Sequence, residues 1–380
     1  MTLSCLIALV VQTESADDVL GVLISVILFA SLAAFVSASA AIFLRMRHIL
    51  HGRRVQNIQA AWMPRILSLV VAPVDSDDAF PNAATLLRDV RALSEKKQRA
   101  LLELIVRFAF IVTGSAQSRL CRLAEPALPA AQALLKRRDP ALRALGVHII
   151  GRLGLGDNEQ LVLTALSDPS PVVSKTAARA LARSGRCDYV EPILKTAERL
   201  TNWGTSEIVS VLQEIGPAAQ PILRDVFANR NRSAAIRVIC AETLRWLNDL
   251  TAAAAAVEIL RHESDCELLA ASLRLLRRVG TTEHTPAARH LCRSHDPVVR
   301  LNAIATLAAT TSDSNSDDVG LLGTALADPS SWVAIRAARG LRELDRPEPL
   351  QNMLALNHQR ANLVRDVWPE LEMQLHRHAA

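Results

Sequence analysis

The chain is 380 residues long, half of them hydrophobic and only 3% aromatic, with a formal net charge of +5. Six cysteines without a CxxC spacing exclude a disulfide or zinc-ribbon framework and fit a reducing compartment. No stretch alternates between apolar and polar residues as a β-strand does, which predicts an all-α protein. Glycine-rich phosphate loops, HExxH and GxSxG motifs are also absent from the sequence, so we predict no catalytic or cofactor-binding residue.

The N-terminal region is predicted to cross a membrane once. After a short extracytoplasmic N-terminus at residues 1–18, residues 19–44 form an apolar stretch of 26 positions without a charge. About 20 apolar residues suffice to cross ~30 Å of hydrocarbon. Acidic residues precede the stretch and basic residues follow it, so the positive-inside rule places the C-terminal side in the cytoplasm. A secretory signal cleaved after Ala40 is the alternative, but it lacks a basic start.

Residues 45–82 are predicted to be a basic juxtamembrane segment. Four arginines open it: Arg45, Arg47, Arg53 and Arg54. They would attract anionic headgroups, at about 1 kcal/mol per basic residue, or act only as a topology signal. Residues 58–74 leave two interpretations open. They form either an interfacial helix with Trp62 at the headgroup level or a helix that packs beneath the first repeat.

Residues 83–136 are predicted to form a pair of N-terminal capping helices after a polar linker that ends near residue 82. The pair has no clean repeat register, and the terminal units of a repeat array are expected to be atypical because their outer face meets water. Ser94 is a candidate N-cap for the helix that carries Leu101, Leu102 and Ile105.

Residues 137–356 contain one short pattern seven times. The copies align on reference residues spaced 31 to 34 positions apart: Leu142, Val173, Gly204, Ile236, Leu268, Val299 and Val333. A period in this range indicates a repeat array. Three positions before each reference residue stands a predicted N-cap: Asp139, Ser170, Thr201, Ser233, Asp265, Asp296 and Ser330.

Two further rows predict that each copy begins with an amphipathic helix. Five positions after the reference residues, every residue is apolar: Val147, Ala178, Val209, Ala241, Leu273, Ile304 and Ala338. Eight positions after, the same holds: Ile150, Leu181, Leu212, Leu244, Leu276, Leu307 and Leu341. Twelve positions after, five residues suit a left-handed C′ position: Gly154, Gly185, Gly216, Asn248 and Gly280. Thr311 and Asp345 depart from this rule. A second helix follows each first one. Residues 357–380 add a C-terminal capping helix over Ala361–His376, which is kinked or stopped near Pro369.

The pattern from Asp168 to Gly185, Asp-Pro-x-x-Val followed by Ala-Ala-x-x-Leu and Gly, resembles HEAT repeats of the short, bilin-lyase type. The resemblance covers roughly residues 95–356. It implies a HEAT-repeat α-solenoid, here preceded by one transmembrane helix. The apolar stretch, the basic segment and Trp62-Met-Pro-Arg-Ile-Leu67 together resemble bacterial single-pass HEAT-repeat proteins. That likeness implies association with a membrane glycosyltransferase or an exopolysaccharide assembly.

The resemblance also implies that the first helices line a concave surface, where outward rows form a partner-binding groove. Six positions after the reference residues stand His148, Arg179, Ser210, Glu242, Arg274, Ala305 and Arg339. Ten positions after stand Arg152, Arg183, Glu214, Trp246, Arg278, Ala309 and Glu343. Arginines in such a groove would receive an acidic loop or tail, and Trp246 would serve as a hot spot. A solvated helix face is the alternative interpretation.

These features predict a non-enzymatic scaffold or adaptor whose cytoplasmic solenoid docks partner proteins at the bacterial inner membrane. The alternative is a HEAT-like enzyme or nucleic-acid-binding solenoid, of the lyase or DNA-glycosylase kind. Glutamates interrupt the basic stripe, so nucleic acid and small-molecule substrates are not expected. No metal site is predicted, although zinc-ligand types occur in neighbouring repeats at unequal offsets: His262, Cys266, Cys292 and His295.

Overall fold

The computed structural model describes residues 16–71, 83–200, 202–312, 316–356 and 359–371. Across these ranges the chain forms helices and no β-strand, which confirms the predicted all-α class. The chain divides into two compact units, one that ends at Ala131 and one that begins at Gln132.

The first unit is built around a long helix, α1, Ala16–Val71, which packs against α3 and α4. Helix α2 is Ala83–Arg91, α3 is Glu95–Ala109 and α4 is Ser115–Ala124, followed by a 3-10 turn at Glu125–Ala127. Helix α5, Leu128–Leu135, begins at the end of this unit. Four helices thus occupy the region where the sequence predicts a pair. Gly114, with φ at +65°, allows the turn between α3 and α4.

Trp62 is a core residue of the first unit and not a residue exposed at a membrane surface. Its side chain is 4% exposed, and Ile58, Ile66 and Leu69 beside it on α1 are buried as well. Their spacing of three and four residues forms one stripe of the helix, which faces α3 and α4. The burial of Trp62 disfavours its predicted place at the headgroup level and favours helix packing for residues 58–71, and residues 72–74 lie outside the described residues. The partners are the predicted capping helices instead of the first repeat.

The N-terminal half of α1 contains the predicted transmembrane segment. From Ser25 to Ser39 every side chain is exposed. Over the residues that the structure describes, no helix combines the length and apolarity that a membrane span requires, so the span at residues 19–44 is not supported. Of the four juxtamembrane arginines, Arg45 is exposed. The side chains of the other three lie outside the described set: Arg47, Arg53 and Arg54.

The second unit stacks seven helix pairs. The first helices are α6 Pro140–Leu153, α8 Pro171–Ala182, α10 Thr205–Ile215, α12 Ala234–Trp246, α14 Cys266–Val279, α16 Pro297–Thr310 and α18 Ser331–Glu343. The second helices are α7 Leu155–Ala165, α9 Val190–Arg199, α11 Gln220–Ala228, α13 Ala253–His262, α15 Thr285–Arg289, α17 Ser316–Ala325 and α19 Glu348–Ala355. Each first helix packs on the first helix of the next pair. This nearest-neighbour packing is the architecture of a solenoid, as predicted.

The apolar register predicted from the sequence is confirmed throughout the array. All fourteen residues five and eight positions after the reference residues are at most 4% exposed. The reference position itself is less regular: Leu142 is half-buried, and in the third copy Gly204 is exposed and is the N-cap of α10. That helix starts at Thr205, and the predicted cap Thr201 lies outside the described residues.

Four predicted caps accept a hydrogen bond from the first turn of their helix: Asp139, Ser233, Asp265 and Asp296. Ser170 and Ser330 occupy the N-cap position without such a bond. In these two copies the serine amide donates a hydrogen bond to the carboxylate two residues earlier. The Ser170 amide donates to Asp168 Oδ1 and the Ser330 amide to Asp328 Oδ1, both at 2.8 Å.

The left-handed positions are predicted only in part. Gly185, Gly216 and Asn248 have φ of 71°, 79° and 53°. Asp345, which was predicted to depart from the left-handed rule, also has a φ of 53°. Gly154 and Gly280 have φ of −161° and −73° and are not left-handed.

The C-terminal helix is interrupted at Trp368, next to Pro369, and helical structure resumes at residues 369–371. Helix α20 covers Asn362–Val367 and stops before Pro369, since proline disfavours a helical conformation in the residue that precedes it. Val367 and Leu371 are buried, so the segment still covers apolar surface. The rest of the predicted helix, beyond Leu371, lies outside the described residues.

Candidate functional site

The arginines of the repeat array fall into two groups with different roles, and the first group is structural. An arginine one position after the reference residue pairs with the carboxylate five positions before the next reference residue. The pairs are Arg143–Asp168, Arg237–Glu263 and Arg300–Asp328, each with a contact of 2.8 Å. Arg143 and Arg300 bind their aspartates through two nitrogen atoms. Each of these two also donates to two main-chain carbonyls before its own helix. These pairs fasten one repeat to the next.

The acid–base properties of these pairs follow from their geometry. The hydrogen bond from Arg143, the largest influence, holds the pKa of Asp168 below its usual value. Burial alone would raise the pKa of Asp328, but the hydrogen bonds from Arg300 and the Ser330 amide lower it overall. Both aspartates are therefore stable as anions. The spacing of 25 to 28 residues between partners is visible in the sequence, yet sequence reasoning missed it because it examined single rows.

The second group lies on the outward surface of the first helices, called here the first-helix face. At its N-terminal end, Arg179 and Arg183 share one carboxylate, with Nε–Oε distances to Glu214 of 3.5 Å and 3.2 Å. Burial, and then the charges of Arg183 and Arg152, lower the pKa of His148, so this imidazole is stabilised in its neutral form. The structure thus brings all five predicted groove residues of this end into one cluster.

A second cluster occupies the middle of the first-helix face. Glu242 accepts from Arg245 Nε at 2.8 Å and also from Arg274 Nε. Arg274 reaches Glu267 at 2.9 Å as well. The Glu242 side chain is only 12% exposed, so it is committed to these two arginines. The predicted residues Glu242 and Arg274 therefore neutralise each other.

Trp246 stands beside this cluster with 59% of its surface exposed. The guanidinium of Arg245 lies over the indole, 4.9 Å from the ring centre. A cleft between the first helices of the third, fourth and fifth pairs opens next to it, and apolar side chains contribute to its lining: Val209, Ala234, Ala235 and Val238. An exposed aromatic ring at the edge of a partly apolar cleft is the arrangement found at many protein-binding hot spots.

At the C-terminal end of the face, Arg278 and Arg339 have no carboxylate within ion-pair distance among the described residues. Arg278 donates to Asn248 Oδ1 at 2.6 Å, and Arg339 is exposed. Ala305, by contrast, is 2% exposed and belongs to the core. The row six positions after the reference residues is therefore not exposed in every repeat. Of the predicted residues here, Arg278 and Arg339 remain available to a partner.

Arg277 is a charged residue of this face that sequence reasoning missed. Partial desolvation first, and then the charges of Arg336 and Arg245, lower the pKa of this guanidinium, while Glu343 acts in the opposite direction. It stands nine positions after Leu268, in the same row as Arg245. Reading that row would have revealed it.

The thiols and histidines considered for metal binding are not assembled. In the described part of the chain, no group of three or more His, Cys, Asp or Glu residues could hold a metal ion. Cys292 is buried, its Sγ lies 3.6 Å from the Ala288 carbonyl, and burial raises its pKa to about 12. Cys266 is exposed. The Nε2 atom of His262 lies 3.5 Å from a carboxylate oxygen of Glu258 on the same helix.

Comparison with known proteins identifies the repeat type. A family model of HEAT repeats matches residues 127–203 and 253–320. The chain therefore carries HEAT repeats, and its second unit is an all-helical HEAT-like solenoid. No characterised protein matches the chain by sequence.

Solved structures with a similar fold are distant from the chain. The karyopherin Kap121p bound to the extreme C-terminus of the protein phosphatase Cdc14p has 12% identity and a TM-score of 0.37, covering 79% of this chain and 44% of its own. The designed armadillo repeat protein YIII(Dq)4CqI has 18% identity and a TM-score of 0.30, covering 57% and 99%. Human deoxyhypusine hydroxylase in complex with glycerol has 17% identity and a TM-score of 0.30, covering 77% and 97%. The chain spans less than half the length of the karyopherin it matches.

Proposed function

We propose that the protein is a non-catalytic scaffold that docks partner proteins on the first-helix face of its HEAT solenoid. The observation that carries the proposal is the exposed indole of Trp246 at the edge of the cleft between the third, fourth and fifth first helices. Contiguous exposed apolar surface marks interaction sites on soluble proteins, and the indole of Trp246 extends the apolar lining of this cleft. Nearest-neighbour packing of the repeats keeps the face stiff, so a partner would lose little free energy in ordering it.

Photo-crosslinking tests this docking face. A photoreactive residue is placed at Ala235 or Arg339 on the first-helix face, and at Arg261 or Arg293 on the exposed second-helix side, which leaves Trp246 intact. The expected result is a discrete protein adduct from the first two positions and none from the other two. Replacing Trp246 by Ala, with the photoreactive residue at Arg339, is expected to weaken capture, because hot-spot residues contribute about 2 kcal/mol or more. Equal adducts from both sides would refute the docking face.

The choice of charge variants follows from the ion pairs. Reversing Arg179, Arg183 or Arg274 would strand Glu214 or Glu242 and perturb the solenoid itself. Arg278 and Arg339 have no carboxylate within ion-pair distance over the described residues, so their reversal tests binding without that cost. Arg278→Glu with Arg339→Glu is expected to reduce capture of an acidic partner while the far-ultraviolet circular dichroism stays helical.

The proposal includes a location at the bacterial inner membrane, with residues 19–44 as the attachment and the solenoid in the cytoplasm. The uncharged sequence of this stretch and the exposure of Phe29, Leu32 and Phe35 support it. Full-length protein is expected to stay with the membrane pellet after alkaline carbonate extraction, and a variant lacking residues 19–44 to be released. Release of the full-length chain would refute the attachment.

The resemblance of residues 19–67 to bacterial single-pass HEAT proteins directs the proposal to one class of partner, a membrane glycosyltransferase or an exopolysaccharide assembly. Mass spectrometry of the adduct formed at position 235 identifies the partner and tests this part of the proposal. If the adduct contains a soluble protein, the docking face is supported and the proposed class of membrane partner is refuted.

A further inference from the structure

The cleft beside Trp246 runs along the whole of helix α12. Its lining begins in the first turn of that helix, at Ala234 and Ala235, and ends at Trp246 in the last turn, and its volume is about 690 Å³. The 13 residues of α12 rise by about 20 Å. An extended peptide covers that distance in about six residues. The cleft therefore has the length of a short extended segment.

The lining offers an extended segment both apolar and hydrogen-bonding contacts. Val209 on α10 and Val238 on α12 are largely buried and form part of the floor, which an incoming apolar side chain would cover. The side chains of Ser206 and Gln213 also line the cleft, and they make no hydrogen bond to another residue that the structure describes. A hydroxyl and an amide can each donate and accept, so they are suited to the main chain of a bound peptide.

A chain of contacts holds the indole of Trp246 at the edge of the cleft. The Arg245 guanidinium lies 4.9 Å from the centre of the ring and donates to Glu242 at 2.8 Å. Glu242 also accepts from Arg274 on the neighbouring first helix, which connects the indole to α14. Arg245 covers one face of the ring, so the opposite face is left for an occupant. A ring ordered before binding costs little free energy to fix when a partner arrives.

The two ends of the cleft carry opposite charges. At the end where the first helices begin, Asp265 lines the cleft, is exposed and has no cationic partner among the described residues. Its Oδ1 accepts the Leu268 amide at 2.8 Å. Beyond the other end, Arg278 in the last turn of α14 donates to Asn248, which follows Trp246 by two residues, at 2.6 Å. An occupant that complements both ends therefore carries a cation at one end and an anion at the other.

We propose that this cleft binds an extended segment of a partner protein in which apolar side chains lie between a basic and an acidic residue. The apolar side chains pack between Val238 and the indole of Trp246. The basic residue pairs with Asp265 and the acidic residue with Arg278. A nucleic-acid backbone does not fit, because its phosphates would meet the carboxylates of Asp265 and Glu267 in the lining. The inference rests on the proposed docking function and names the chemistry that the cleft selects.

Fluorescence anisotropy with the full-length chain tests the inference. The probe is the fluorescein-labelled peptide Lys-Ser-Leu-Ser-Leu-Ser-Glu, called here the mixed-charge peptide, whose charged residues lie about 20 Å apart when it is extended. The serine control replaces both leucines by serine, and the glutamine control replaces both charged residues by glutamine. The mixed-charge peptide is expected to bind about tenfold more tightly than the serine control, because leucine burial is lost there.

Three substitutions separate the contributions of the cleft. Trp246→Ala is expected to weaken binding of the mixed-charge peptide about thirtyfold, the effect of a hot-spot residue. Asp265→Asn retains the helix cap, because asparagine can also accept the Leu268 amide. It is expected to weaken the mixed-charge peptide about two- to fivefold and to leave the glutamine control unchanged; the same is expected of Arg278→Gln. Asp139→Asn, at the exposed N-cap of α6 outside the cleft, is the matched control and should change neither affinity.

Three results overturn the inference. The first is that the mixed-charge peptide binds no more tightly than the serine control, or does not bind measurably. The second is an equal loss for the mixed-charge peptide and the glutamine control in Asp265→Asn. The third is a dimer of the chain in analytical ultracentrifugation that Trp246→Ala dissociates, which would assign the cleft to a second copy. Any of these, together with first-helix adducts in the crosslinking experiment, would leave the docking function standing and remove only the mixed-charge chemistry.

Discussion

The close approach of α16 and α18 allows a quantitative test of how the repeats pack. Gly340 on α18 faces Ala308 on α16, and a methyl group added at Gly340 would lie 2.7 Å from the Ala308 Cβ. Carbon atoms in contact prefer about 3.5–4.0 Å. Both Cβ atoms are fixed to helix backbones, so Gly340→Ala must push the two helices apart by about 1 Å.

The expected free-energy change is the difference of two terms. Replacing glycine by alanine within a helix stabilises it by about 1 kcal/mol. Overpacking a well-packed contact costs about 1–3 kcal/mol. Gly340→Ala is therefore expected to destabilise the protein by about 1 kcal/mol. Gly320→Ala on α17 is the matched control, because nothing lies within 4 Å of its added methyl group. It is expected to stabilise the protein by about 1 kcal/mol.

Urea unfolding followed by circular dichroism measures both variants, with midpoint shifts read at unchanged slope. Hydrogen exchange is expected to localise the loss to α16 and α18, because repeats communicate mainly with their neighbours. Adding Ala308→Gly to Gly340→Ala restores the space and should return the stability to about the wild-type value. If Gly340→Ala stabilises the protein as much as Gly320→Ala, the close helix contact is refuted.

Three further outcomes follow from the described contacts. The pKa of Asp168 in the folded protein is lowered below the unfolded value of about 3.9. The carboxylate therefore contributes fully to the free energy of unfolding above that pH, and this contribution is lost as the pH falls further. Below about pH 4, the urea midpoint should fall less steeply for Asp168→Asn than for the wild type. Trp62→Ala should lower the free energy of unfolding, measured in urea, by about 3–5 kcal/mol because the indole is buried. Trp246→Ala should lower it by less than about 0.5 kcal/mol, because that indole is exposed. Equal losses would contradict the core position of Trp62. Glu242→Gln should lower the free energy of unfolding by about 1–3 kcal/mol, because Arg245 and Arg274 lose their shared carboxylate; an unchanged urea midpoint would contradict the paired state of Glu242.

The sequence was sufficient to predict the array because helical burial is periodic. Residues such as Val147 and Ile150 recur on one stripe of every first helix, and each copy repeats the same stripe after 31 to 34 residues. Only a stacked helical array can bury so regular a pattern. The exceptions were local. Gly204 replaces Thr201 at the start of α10, and Asp345 adopts a left-handed conformation that residue type alone did not predict.

The candidate site could be predicted only to the level of a helix face. Sequence spacing placed Arg179, Glu214, Arg274 and Trp246 on the outward surface, but it could not say which arginines were already paired. Pairing depends on side chains from neighbouring repeats that meet within about 3 Å. Arg277 was missed for a different reason, because the row nine positions after the reference residues, which also contains Arg245, was not read.

The amino-acid sequence by itself determined the helical class, the repeat period and the buried stripe, because these depend on the order of apolar residues along a single helix. Tertiary structure alone decided that Trp62 is a core residue, that Glu242 neutralises Arg274 and that Arg179 and Arg183 share Glu214. Those outcomes depend on distances between side chains that are far apart in sequence. The repeat period brings such side chains together in space, but it does not determine which charges meet.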